Sequence, residues 1–431
     1  MSATPPSSAP SSGPRRWTRA IVADVTPLRM SAPFRRLWFG LGVNNLGAQI
    51  TAVVVALQIY QITGSSFSVG MLGGFSLVPL VVMGLYGGAI ADAMDRRKLM
   101  LWSSVGQAGC SAVLLAQALL DLRSVWLLYL VVAVQSGLFA VISPARQATI
   151  PRLVGLDQLP AANALSQLSW SLGMTLGPLL GGFLVYLQGF SLAYAADLLT
   201  YAAGLYAVFR LPPVPPEGAT GERAGFRSVV EGLRYLRGRK VVLMTFLVDL
   251  NAMIFGMPRA LFPAIAGAFF AGGAGTVGLL NAAPAAGAFI GATFSGGLTR
   301  VRRQGLAVLI AVFVWGLAIT AFGFTHVLWV GLALLAVAGA ADMVSAVFRM
   351  TILQGDTPDA LRGRLQGVFV VVVVGGPRIG DVEAGTVASI WGERVSVVSG
   401  GLLCMLGVVL LAALVPSFAR YRAPGTPEQR P

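Results

Sequence analysis

At 431 residues, 56% of them hydrophobic and 11% charged, with a mean hydropathy of +0.76, the chain is too apolar for a soluble protein and reads as a polytopic membrane protein. A net charge of +14 would suggest nucleic acid in a soluble domain, but here the arginines sit in short breaks between apolar runs, which points to membrane orientation instead. Cys110 and Cys404 lie far apart in apolar runs, with neither a disulfide framework nor metal-ligand spacing.

Residues 1–33 are rich in Ser, Pro, Ala and Arg without an apolar core, and read as a disordered cytoplasmic tail. Apolar segments follow at 37–60, 69–91, 99–120, 125–146, 161–187, 190–209, 241–264, 275–298, 305–325, 327–349, 365–391 and 395–416. Each is close to the roughly 20 residues that cross a bilayer, which predicts twelve helices. With the N-terminus inside, the tails and alternate loops hold 27 of the 31 cations, so both termini are expected to be cytoplasmic. Residues 34–210 and 241–418 are then two six-helix bundles, and 419–431 is a cytoplasmic tail. The linker 211–240 opens with Leu211-Pro-Pro-Val-Pro-Pro216, and its apolar residues Phe226, Val229, Val230, Leu233 and Leu236 recur at helical spacing among arginines, as in an amphipathic helix on the inner membrane surface.

The densest charge cluster between two spans is Gly87-Gly88-Ala-Ile-Ala-Asp92-Ala-Met-Asp95-Arg96-Arg97-Lys98. An acid at a helix C-terminus opposes the macrodipole, so Asp92 is expected to have a partner elsewhere, and Gly88, Asp92, Asp95, Arg96 and Arg97 read as a conformational latch. Gly296-Gly297 with Arg302-Arg303 is a shorter copy after the second span of the second half, the internal symmetry of a transporter that rocks two bundles.

At these residues the sequence resembles the major facilitator superfamily over nearly all of 35–418, with Ala93 and Asp95 departing from the usual arginine and glycine of the loop signature. Phe34-Arg-Arg-Leu-Trp38, Tyr60-Gln-Ile-Thr-Gly-Ser65, Ser143-Pro-Ala-Arg146, Pro151-Arg-Leu-Val154 and Gly376-Pro-Arg-Ile-Gly-Asp381 resemble the branch that contains the bacterial enterobactin exporters. The run with Gly173, Gly177, Pro178, Gly181 and Gly182 is similar to the antiporter signature of drug-exporting facilitators, and would also serve plain close packing. The resemblance implies that the first, fourth, seventh and tenth helices line a cavity, and that Asp92 meets the start of the eleventh near Arg362, Gly363 and Arg364.

Ionisable residues inside spans cost from about 2.5 to more than 10 kcal/mol when they face lipid, so each is a functional candidate. Asp249, Asp342 and Glu383 are the proton-coupling candidates, with Asp249 near mid-bilayer. Asn45, Gln49, Gln135, Asn251, Arg259, Arg378 and Asp381 are the cavity candidates. Arg378 and Asp381, three apart, are expected to form an ion pair. Asp197 reads as a packing or gating acid, and His326 as solvated in an external turn. No phosphate-binding loop, metal cluster or nucleophile constellation occurs, so neither ATP-driven transport nor enzymatic turnover is expected, and no cofactor. The reading is an all-α facilitator of the inner (plasma) membrane whose partners are the lipid bilayer, protons and a small amphiphilic compound that it exports. Siderophore-specific export and a facilitator-like scaffold or sensor without transport are the alternatives.

Overall fold

The computed structural model describes residues 24–422 apart from 156, 216–233, 235, 294–300 and 357–358. The elements are α1 (Thr26–Met30), α2 (Ala32–Thr63), α3 (Ser66–Ala93), α4 (Arg96–Leu119), α5 (Val125–Val154), α6 (Leu159–Phe209), α7 (Lys240–Phe255), a 3-10 turn (Arg259–Leu261), α8 (Phe262–Ala268), α9 (Ala274–Thr293), α10 (Gln304–Phe324), α11 (Leu328–Asp356), α12 (Asp359–Trp391), α13 (Glu393–Leu414) and α14 (Pro416–Ala419). Among the described residues ten helical stretches are long and apolar enough to cross a bilayer, with α7 through α8 taken as one. This is consistent with the predicted twelve, since α6 divides in two at Gln188 and Gly189 and α12 is a further helix of 33 residues. Gly189 has φ 74, a conformation that a β-carbon resists.

Local chemistry sets the starts of the first helices. Ser31, Ser65, Asp95 and Ser124 each accept a hydrogen bond from a backbone N–H of the first turn of α2, α3, α4 and α5. Helical structure begins earlier than the predicted tail boundary, since α1 and the start of α2 fall within residues 26–33. The predicted amphipathic helix at 226–236 and Gly296-Gly297 lie largely or wholly outside the described residues.

Other predicted bounds shift for a physical reason. Hydropathy follows the apolar run and not the backbone, so α5 continues past Arg146 to Val154, and α11 past Arg349 to Asp356. The seventh span is not one helix. It stops at Phe255, ahead of Pro258, and resumes in the 3-10 turn. The Trp315 indole N–H donates to the Gly256 carbonyl at 2.9 Å and satisfies an oxygen at the break.

Each half has its own core, around Val54, Leu114, Leu128 and Tyr194 in the first and Met244, Val308, Phe322 and Cys404 in the second. Val53 packs into the second core and Ala260 into the first, so the halves interlock. Trp126, Tyr186, Trp329 and Leu414 are more than 70% exposed, as expected of side chains that face lipid.

The halves approach most closely where glycines remove side chains. A β-carbon on Gly278 of α9 would sit 2.6 Å from the Pro178 carbonyl oxygen of α6, and one on Gly385 of α12 would sit 2.7 Å from the Ser66 carbonyl oxygen of α3. Gly70 and Gly73 of α3 lie in the same way against the Asp381 and Arg378 carbonyls of α12, and Gly182 against Ala274. All of these contacts lie toward one end of the molecule. The charged turn that follows α3, and Arg302 and Arg303 ahead of α10, lie at the other.

Candidate functional site

The main charge cluster inside the membrane lies between α7 and α11. Asp249 is nine residues into α7, about 14 Å of rise, and it is buried. It forms an ion pair with Arg349, itself buried and seven residues short of the end of α11. The other terminal nitrogen of Arg349 lies 3.4 Å from Asp342 Oδ1, two turns earlier on the same helix. Helical side chains lean toward the N-terminus, which lets the long guanidinium reach back over those two turns. The Asp342 side chain is 38% exposed against 5% for Asp249, so this acid alone among the three groups meets the open space between the helices. Ser345, between the two, is fully buried with its hydroxyl unpartnered among the described residues.

Asp249 is therefore not the lone carboxyl that its position suggested. Arg349 compensates it.

A second group lies on the seam. Arg259, in the 3-10 turn, pairs with Asp381 at 3.4 Å, and a β-carbon on Gly73 would meet Asp381 Cβ at 3.0 Å. This corrects the pair expected between Arg378 and Asp381: the break in α7 swings Arg259 over the acid. Ser66 donates to Glu393 at 3.0 Å across the same seam. Glu383 makes no hydrogen bond or ion pair among the described residues.

The cavity candidates divide. Asn45 lines a cleft of about 450 Å³ with Trp38, Arg146, Ser169 and Trp170, while its amide donates to the Ser169 carbonyl at 3.4 Å. Asn251 donates to the Cys404 carbonyl at 2.8 Å and so faces α13 instead of a cavity, which corrects its assignment. Gln49 and Gln135 are partly buried. The antiporter-like glycines form a seam: Gly173 lies against Asn45, Gly177 against Gln49, Gly181 against Ile50 and Gly182 against α9, so one stripe packs α6 on both α2 and the other half.

In the charged turn, Asp95 caps α4 by accepting from the Arg97 and Lys98 amides at 2.9 and 3.1 Å. Arg96 donates to the Ala148 carbonyl at 3.1 Å and Arg97 to the Phe209 carbonyl at 2.6 Å, which ties the turn to the ends of α5 and α6. Arg96 and Arg97 of the predicted latch thus bind protein carbonyls. The backbone of α3 ends just after Asp92 as expected, but the side chains around Gly88 and Asp92, and those of 359–371, lie outside the described residues. Asp197 is fully buried and accepts from Thr51 at 2.7 Å and Ser111 at 2.6 Å, a packing role. His326 is not simply solvated: its Nε2 is 2.9 Å from an Arg394 nitrogen.

The transmembrane secretion effector family matches residues 22–423, almost the entire chain. The chain belongs to that family. Two relatives named enterobactin exporter EntS, from Shigella boydii serotype 18 and Escherichia coli O1:K1, are 32% and 31% identical over 419 residues, which cover 95% of this chain and 97% of each relative. Among solved structures, a peptide transporter POT in complex with alafosfalin aligns with a TM-score of 0.73 at 12% identity, covering 91% of this chain and 96% of that one. A bacterial homolog of the human lysosomal transporter Spinster aligns at 0.72 and 16%, covering 93% of this chain and all of that one. The secretion effector is thus a multi-pass major facilitator transporter of the enterobactin-exporter branch, and not an enzyme.

In this transporter, reasoning from sequence missed Arg349 and Arg146 as intramembrane groups, having assigned both to loops at the ends of apolar runs. Helical periodicity was the available signal. Arg349 falls seven residues after Asp342, on the same face.

Proposed function

We propose that the protein exports a small amphiphilic compound across the inner membrane by alternating access, in exchange for protons. The observation that carries the coupling is the Asp249–Arg349–Asp342 cluster. With both acids ionised it bears a net charge of −1; with one proton it is neutral. Asp249 is held by the guanidinium, so the exchangeable proton belongs on Asp342, the more exposed acid. A charged cluster favours a hydrated, open cavity, whereas a neutral one can be covered when the cavity closes, which links proton binding to the change of state.

Orientation follows from the cations. The tails and loops assigned to the inner side hold 27 of the 31 cations, and setting aside Arg146 and Arg349, which lie eight and seven residues short of the ends of their helices, leaves 25 of 31. The glycine seams close the opposite end, so the arrangement corresponds to a cavity open to the cytoplasm. A cysteine at Ser12 should resist impermeant thiol reagents in intact cells, and labelling there would reverse the orientation.

Siderophore export is favoured among substrates by the enterobactin exporters to which the chain is similar. Of the two arginines among the cavity candidates, Arg259 is engaged by Asp381, which leaves Arg378 for an anionic substrate. The test is uptake of labelled siderophores and drugs into inverted vesicles under an imposed proton gradient. Accumulation that an uncoupler abolishes supports proton-driven export. Absence of uptake for every compound favours the scaffold reading.

A further inference from the structure

We infer that the cleft between α2, α5 and α6 is a recognition subsite for an organic anion bearing an aromatic ring, with Arg146 as the anion ligand. Arg146 lies eight residues before the end of α5, about 12 Å of rise from the arginine-bearing end. It lines the cleft together with Phe34, Trp38, Asn45, Ser169 and Trp170, and no carboxylate pairs with it among the described residues. A guanidinium inside a membrane helix without a counter-ion is costly, and a ligand anion is the group that would compensate it. The fork of an arginine matches a carboxylate or a phenolate pair bidentately, which a lysine does not.

The walls supply the other half of the recognition. Trp38 donates its indole N–H to the Leu165 carbonyl at 2.9 Å, and Trp170 stands beside Phe139 with ring centroids 6.4 Å apart. Two braced aromatic side chains and a cation lining one cleft suit a flat anionic ring, at low cost in side-chain ordering. Ser143-Pro-Ala-Arg146 thereby acquires a role as the segment that places the cation.

The inference rests on the transporter reading for the purpose of the cleft, but its test measures binding and needs no transport. Full-length protein in phosphatidylcholine nanodiscs is dialysed against labelled salicylate or salicylamide, which share a ring and differ in charge. Wild type should hold salicylate about tenfold more tightly, the size of a charge-assisted hydrogen bond. Arg146→Gln should remove that preference and leave salicylamide unchanged. Ser169→Asp, which places a carboxylate in the cleft, should do the same even where the arginine variant does not fold. Trp170→Leu should weaken both ligands. Equal binding of the two ligands by wild type, or an undiminished preference in Arg146→Gln or Ser169→Asp, would overturn the assignment. Discs containing phosphatidylglycerol separate the two sources of the anion: unchanged salicylate binding supports a transported solute, and its loss assigns the site to a lipid headgroup. If vesicles show export while the anion preference is absent, the subsite fails and the transporter reading stands.

Discussion

Arg349 is the residue on which the second half's polar interior depends. It pairs with Asp249 and more loosely with Asp342, and its own Nε is buried without a partner among the described residues. Removing one member of a buried pair leaves the other charge uncompensated, at a cost of about 3–5 kcal/mol. Arg349→Met should therefore lower the thermal midpoint of the purified protein markedly, and adding Asp249→Asn should recover most of the loss. Equal melting of the single variant and wild type would mean that the pair contributes nothing. Asp249 was legible in the sequence because an acid in an apolar run stands out. Its partner was not, because the apolar run ends at Arg349 while the helix continues for seven residues.

Among the elements, α3 with α12 and α6 with α9 form the closed end, and both pairs use glycine to bring backbones together. A side chain on Gly278 would meet the Pro178 carbonyl oxygen at 2.6 Å and the Gly182 Cα at 3.4 Å, both of them α6 backbone that cannot step aside as a side chain could. Overpacking of this kind costs about 1–3 kcal/mol, and it acts only on the state in which the seam is closed. Gly278→Val should thus shift the population toward the state open at that end by roughly 5- to 150-fold. Spin-label distances between Leu187 and Gly273 should lengthen, and an unchanged distribution would show that the seam does not govern the equilibrium. The glycine stripe was readable as either an exporter signature or close packing, and its contacts with α2 and α9 are packing across both interfaces. The break in α7 was hidden differently: residues 253–265 are apolar apart from Arg259, so Gly256, Pro258 and that one cation were the marks of the interruption.

For the whole molecule, the all-helical membrane class was legible because it follows from runs of some twenty apolar residues punctuated by arginines, and the family because short motifs such as Phe34-Arg-Arg-Leu-Trp38 carry it. Which side chains meet across helices was not legible, since contacts such as Arg259 with Asp381 join positions 122 residues apart. The central claim is that this transporter spends a proton held by the α7–α11 cluster to change state. Its most direct test uses proteoliposomes, an imposed pH gradient and a compound that wild type accumulates, comparing Asp342→Asn with wild type. The account predicts that Asp342→Asn loses gradient-driven accumulation and keeps gradient-independent exchange of the same compound. Accumulation by Asp342→Asn at the wild-type level would contradict it and move the proton to Asp249 or Glu383.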